Sequence, residues 1–580
     1  MSTRNKLTRR QVLRTAAAVA AGTVAVACAP APSRPASEAA PPAEPTAEEA
    51  APQAPAEGGK IAPRGMGVWG GGTLIPFEDP YKDLEISVGF AQFGVTSPVE
   101  SDTFEDNIRL RWIKEHTGVW YKRIGGGNEA LATAMASNDL PDCLTHIGGG
   151  IIVDQLIRGG ALEDITDIWE STASPLTKEN KKVGHFYWGT VTRDGRIYGI
   201  PHCPDTAGPG VWYIRQDWLD KVKLSPPTTL DEYAEVAKAF LKEGLATWGI
   251  AADPNLVSWI AGMDEVFGAY GVMPTYWLKD DTGKLVHGST LPGNVQALET
   301  LRKWYAEGVL GKDFPTADYN TIRGNMMGNK VGIWQLYYWG PEWMLDLYRA
   351  FPEAKLLIGE APAGPDGKRG HRSENSGNQM VAWKKGIDRV KVEAMIRSLN
   401  WQFERKQNSV ENAEYCFLGA NHDPLDFEGY DYVWEGDKIM QGPTTTLHWG
   451  SPHEHPLPFN PTVTRDAYAR MDKILAKKSE DRNPFEKYIA EGYAAQSRMA
   501  HKSLTDHPEW MMRDESDGII PGPNMQQYGA DLTKLWKERF MKIIVGDLPL
   551  AEFDNYVKEF YSRGGQEVTD EVNEWYAAKS

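Results

Sequence analysis

Period-two alternation in Leu84-Glu85-Ile86-Ser87-Val88-Gly89-Phe90 predicts a strand with one buried face. Behind it, Phe104, Ile108, Trp112 and Ile113 share one face of a helix predicted over residues 104–116, which Gly118 stops. The pattern then gives a strand over 119–124, a helix over 129–137 and a strand over 143–147 that runs into Gly148-Gly149-Gly150. Strand alternating with helix predicts a mostly parallel sheet, whose ligands lie beyond the carboxyl ends of its strands. The loops around Phe93 and His146 fall at those ends.

A second alternating stretch follows. Asp194-Gly195 suits a tight hairpin turn with positive φ, and Val211 to Arg215 reads as a strand. Thr229-Leu230-Asp231-Glu232 is a capping box opening a helix that ends near Gly244. Val295, Leu298, Leu301 and Tyr305 fall in helical register up to Gly308, and Val331-Gly332-Ile333 reads as a short strand. Farther on, helices are expected at about 465–477, 531–544, 550–562 and 568–578, placed to clasp two lobes. No internal repeat of solenoid length is present.

Length agrees with that division, since single cores stop growing near roughly 250 to 300 residues and this chain has 580. The net charge of -17 argues against nucleic acid and anionic membrane surfaces, and favours a neutral or cationic small ligand.

The N-terminus reads as an export address. Arg4, Lys6, Arg9, Arg10 and Arg14 precede an apolar run from Ala16 to Ala27 that is too short to span a bilayer. Thr8-Arg9-Arg10-Gln11-Val12-Leu13-Arg14 resembles the twin-arginine motif, with Val12 where Phe is usual. Ala25-Val26-Ala27-Cys28 resembles a lipobox, with Ala25 in place of Leu, and implies lipidation of Cys28. The alternative is a soluble protein cut after Ala27. Residues 29–80 form a tether rich in Pro, Ala and Glu, too poor in apolar residues to fold. Beyond the signal only Cys143, Cys203 and Cys416 remain, without metal or redox spacing; at most one disulfide forms, and burial is expected for a leftover thiol.

Seven separated segments are similar, in order, to the bacterial extracellular solute-binding proteins of the sugar-importer kind. They are Ala136 to Asp142, Gly160 to Thr166, Asp194 to Pro201, Trp212 to Leu219, Trp304 to Gly308, Gly311 to Thr316 and Ile543 to Gly546. The resemblance implies an α/β, two-lobed periplasmic-binding-protein type II-like fold with hinge crossovers and a helical C-terminal region. The expected division is 1–28 signal, 29–80 tether, 81–205 first lobe, 206–371 second lobe, and 372–580 returning to both lobes and ending in helices. It also implies a carbohydrate, expected to be an oligosaccharide, held between the lobes and handed to the transmembrane subunits of an ABC permease. The protein is then a monomer, tied to the cell membrane outside the cytoplasm, with no cofactor, no metal and no catalytic residue.

Sugar rings need aromatic platforms and planar polar groups, and the chain has 21 Trp and 23 Tyr. The densest cluster is Trp334 to Trp343, in which Trp339 matches the stacking position of sugar-binding relatives and Trp334 or Trp343 would suit core. Trp212 either faces the cleft or packs the hinge, and Trp259 is either a contact or core. Phe93, His146, Asp205 and Asn378 complete the candidates, the last two for hydroxyl recognition, although loop capping explains them equally.

A peptide or other small-solute binder of the same fold is the rival. A glycosidase needs two flanking carboxylates, and no local pattern singles out a pair among 79 acidic residues. There is no G-x-S-x-G, H-E-x-x-H or Walker loop. Asp280-Asp281-Thr282-Gly283-Lys284 lacks the full calcium loop and is expected to be a hairpin turn.

Overall fold

The computed structural model describes residues 76–91, 103–106, 108–145, 150–183, 185–201, 210–373, 380–411, 432–436, 438–441 and 461–579. Cys28, Phe93, His146, Asp205 and Asn378 lie outside the described residues, as do Cys203 and Cys416.

Nine strands build two sheets: β1 (Leu84–Ala91), β2 (Val119–Gly125), β3 (Cys143–Thr145), β4 (Gly199–Pro201), β5 (Gly210–Arg215), β6 (Trp248–Ile250), β7 (Val331–Tyr337), β8 (Leu356–Gly359) and β9 (Met380–Trp383). The first sheet has the order β2-β1-β3-β9-β4 and the second β8-β5-β7-β6. The expected parallel sheet is therefore half right. β1 pairs parallel with β2 and β3, as strand-helix alternation requires, but β9 runs antiparallel to β3 and β4. β9 enters from the other sheet rather than from a crossover helix, so its direction is free of that rule. In the second sheet only the β6–β7 pair is parallel.

Each sheet has its own core. Ile86, Leu110, Tyr121, Leu144 and Trp169 form the first, together with Trp383 on β9 and Met395 on the helix Arg389–Glu411. The second gathers Trp212, Ile214, Tyr233, Trp304 and Trp334 with Trp536, Phe540, Tyr556 and Val572 from far along the chain. The chain leaves the first sheet at Pro201 and enters the second at Gly210, leaves the second sheet at Gly359 and re-enters the first at Met380.

Local signals act as their chemistry dictates. Asp194 (φ 50°) and Gly195 (φ 75°) make the hairpin turn between Thr192–Arg193 and Arg196–Ile197. The capping box is complete, with Thr229 accepting from the Glu232 amide at the start of the helix Leu230–Lys242. The helix Gly293–Ala306 closes before Gly308, whose φ of 75° only glycine adopts without strain. Asp280 accepts from Thr282 and Lys284 between Trp277–Lys279 and Leu285–His287, a hairpin turn as expected.

Three expectations need correction. The helix expected over 104–116 spans Ile108–Thr117 rather than starting at Phe104, because the Thr103 hydroxyl accepts from the Glu105 and Asp106 amides and ties that stretch into a turn. Phe104 instead lies under the Arg123 guanidinium, 3.7 Å from the ring centre. β7 continues through the aromatic run to Tyr337, which buries Trp334 completely. Of the C-terminal helices, Pro461–Ala476 lies against both Arg389–Glu411 and Tyr493–Thr505, whereas the buried side chains of Pro523–Val545, Glu552–Phe560 and Gln566–Lys579 all belong to the second core. Cys143 is a free, buried thiol.

Candidate functional site

Register sets the site. Tyr337 pairs with Gly210, so the end of β7 and the start of β5 lie together on the edge of the second sheet where the chain arrives from the first.

Trp259 is held there by a loop pinned at both ends. Asp253 accepts from the Asn255 amide and side chain and from the Ser258 hydroxyl, while Ala261 donates its amide to the Gln335 carbonyl. Ile260 bridges Leu336, and positive φ at Leu256 and Ala261 turns the chain around them. The result leaves Trp259 half-buried and beside Trp339, with ring centres 5.7 Å apart and planes at 29°. Tyr319 follows the cap made by Asp318 on the helix Tyr319–Met327, and its ring lies 5.6 Å from Trp259. Tyr337 meets Trp339 edge-on at 5.4 Å and Trp259 at 6.3 Å. Four rings from three stretches of chain thus form one patch. Tyr319 is the most open at 38% exposure, and Trp339 shows 9% of its surface.

A buried ion pair fixes this patch from beneath. Arg372 Nε donates to Asp264 Oδ1 at 2.8 Å, and Arg372 Nη2 reaches the Tyr337 hydroxyl at 3.4 Å and the Ser258 carbonyl at 3.5 Å. Burial pushes the Asp264 carboxyl up against the pull of that guanidinium. Burial pushes Tyr319 up as well. The neutral rings of Tyr319 and Trp259 keep accessible area that can stack on the C–H face of a sugar, with Trp339 packed beside them at the rim of the second core, while Arg372 keeps Tyr337 in place.

Of the residues expected at a ligand, the structure brings Trp259 and Trp339 together. Trp212 goes elsewhere: it is fully buried, its indole Nε1 donates to Glu265 Oε2 at 3.2 Å, and its ring meets Tyr233 edge-on at 4.9 Å. It packs the second core rather than the patch. Tyr319, Tyr337 and the Asp264–Arg372 pair were not singled out from the sequence. Tyr337 stood in the densest aromatic run, but Asp264 and Arg372 are 108 residues apart and carry no local signal.

Among the described residues, no group of three or more His, Cys, Asp or Glu side chains could hold a metal ion. No helix among them is long and apolar enough to cross a membrane.

A family model for the bacterial extracellular solute-binding protein matches residues 97–397. The chain belongs to this family. As a solute-binding protein it is 27% identical over 459 residues to the polygalacturonan/rhamnogalacturonan-binding protein YtcQ of Bacillus subtilis (strain 168), covering 77% of this chain and 82% of that one. It is 22% identical over 508 residues to the fructooligosaccharide ABC transporter substrate-binding protein FusA of Streptococcus pneumoniae serotype 4, covering 81% and 86%. Among solved structures, the alginate-binding protein AlgQ2 without calcium ion superposes with a TM-score of 0.58 at 18% identity, over 87% of this chain and 99% of that one. The N-glycan transport solute binding protein NgtS of Streptococcus pneumoniae gives 0.55 at 17% identity, over 86% and 100%. These likenesses place the fold among two-lobed solute-binding proteins.

Proposed function

We propose that this solute-binding protein captures a carbohydrate, an oligosaccharide rather than a single sugar, and delivers it to an ABC permease. The observation that carries the proposal is the Trp259–Trp339 pair, two indoles at 29° on the lobe edge that receives the chain from the first sheet. YtcQ, a polygalacturonan/rhamnogalacturonan-binding protein, and FusA, a fructooligosaccharide transporter substrate-binding protein, support the same reading. Trp259, Trp339, Tyr319 and Tyr337 supply the stacking surface. Phe93, His146, Asp205 and Asn378 are proposed to contribute from the connecting loops.

Binding draws the lobes together, because a saccharide that touches both favours the closed arrangement over the open one. The closed form docks on the permease. No residue acts as a catalyst in this reading, so a labelled oligosaccharide returns intact. The chain is a monomer, exported through its twin-arginine signal and anchored by a lipid on Cys28, with residues 29–80 as the tether. The lobes are proposed to divide at 81–205 and 206–371, with 372–580 returning to both.

A thermal-shift screen against neutral and acidic oligosaccharides and short peptides tests the proposal, since bound ligand raises the unfolding midpoint by mass action. An oligosaccharide that raises it, and is recovered uncleaved, supports the reading. A panel in which only peptides do so overturns it.

A further inference from the structure

The loop that carries Trp259 ends on a single residue of β7. Ala261 donates its amide to the Gln335 carbonyl at 2.7 Å, and the next amide, that of Gly262, donates to Gln335 Oε1 at 3.1 Å. Gln335 is 1% exposed, so both bonds are made away from water, where an amide left without its acceptor is costly. Ala261 has a φ of 51°, which a residue other than glycine keeps only when its surroundings enforce it. The two bonds supply that enforcement, two and three residues beyond Trp259.

The far end of the Gln335 side chain lies against Gly210, where the chain arriving from the first sheet enters β5. A Cβ at residue 210 would overlap the Gln335 side-chain amide and come within 2.9 Å of Glu265 Oε1. The φ of Gly210 is not in the left-handed region, so its backbone does not call for glycine. Glycine is there for space, and Gln335 fills that space. One buried amide therefore meets the entry of the crossover on one side and the foot of the Trp259 loop on the other.

We propose that Gln335 is a positioning residue of the binding site: it holds Trp259 in the attitude that meets Trp339, and Gly210 leaves it the room to do so. The role given to Trp259 rests on the carbohydrate reading, which is here extended to two residues outside the patch. A ring pair already in place spares the ligand the entropy of ordering it. A loosened loop thus lowers affinity although no stacking ring is lost.

Fluorine NMR of the full chain labelled with 5-fluorotryptophan tests this without any ligand. The Trp259 resonance is assigned by its loss in Trp259→Phe, and a control, Trp188 in the first core, by its loss in Trp188→Phe. Gln335→Met keeps the volume and removes the acceptor, and is expected to shift or broaden the Trp259 resonance while Trp188 stays in place. Gly210→Ala is expected to do the same alone, but not when added to Gln335→Ala, which already makes room for the new methyl group. Gly210 also pairs with Tyr337, and an effect carried by that route would persist in the double variant. Thermal melts check folding, and Gly210→Ala carries the test if Gln335→Met does not fold.

Titration with an oligosaccharide that binds wild type is expected to show about tenfold weaker binding for Gln335→Met, and no further loss when that change is added to Trp259→Ala. The proposal is overturned if the Trp259 resonance is unmoved in folded Gln335→Met or in folded Gly210→Ala, or if Gly210→Ala moves it equally with and without the Gln335 side chain. It is also overturned if Gln335→Met binds as tightly as wild type where Trp259→Ala does not. Should Trp259→Ala itself bind as tightly as wild type, the carbohydrate contact fails, and the resonance still decides the role of Gln335.

Discussion

Arg372 Nε donates to Asp264 Oδ1 at 2.8 Å, with the Asp264 side chain 1% exposed, and so ties the stretch that precedes the return to the first sheet to the helix start just after the loop that carries Trp259. The same guanidinium reaches Tyr337 and Ser258. One cation therefore sets the positions of two patch elements.

Replacing Arg372 by Met is expected to lower stability by about 3 kcal/mol, because it strands a buried carboxyl. Ligand affinity falls as well, since Tyr337 and Ser258 lose their common partner. Denaturant unfolding together with titration calorimetry checks both effects.

Trp212 and Trp259 give opposite outcomes. Trp212→Phe removes the donor to Glu265 inside the core and is expected to cost about 2 kcal/mol of stability with ligand affinity little changed. Trp259→Ala is expected to leave the unfolding midpoint nearly unchanged and to weaken sugar binding roughly thirtyfold. Melting curves and titrations on the two variants separate core from contact.

Glu265 makes stability fall as pH rises. Burial lifts its folded value to about 8, above the unfolded value of about 4.3, so the folded protein holds more protons across that window. Glu265→Gln, which mimics the protonated acid, should flatten the decline between those limits. A decline of equal slope in the variant would remove Glu265 as its source.

Asp142 works in the other direction. Burial alone would raise it, but Lys391, Lys384 and the Ser87 amide outweigh burial and hold the carboxyl well below the usual carboxylate range. Its contribution is present above the unfolded value of about 3.9 and is lost as pH falls through the lowered folded value. Asp142→Asn should cost about 2 kcal/mol at pH 7, and its gap to wild type should close in strong acid.

Elements with local chemistry were legible in the sequence: the Asp194-Gly195 turn, the Thr229–Glu232 capping box and the Gly308 stop each carry their own geometric cause. What the pattern missed depends on partners distant in the chain. β9 takes its direction from arriving out of the other sheet, and the aromatic run extends β7 because β5 is there to pair with it. For the same reason Trp259 and Trp339 were individually visible as aromatic residues, whereas their meeting, and the buried fate of Trp212, depended on which side of the sheet each loop was pinned to.

Titration calorimetry of wild type, Trp259→Ala and Trp339→Ala with an oligosaccharide that raises the melting midpoint addresses the central claim most directly. One tight site per chain in wild type, weakened at least about tenfold in each folded variant, is the predicted result. Unchanged affinity in both would mean that the sugar, if bound, never touches these two indoles.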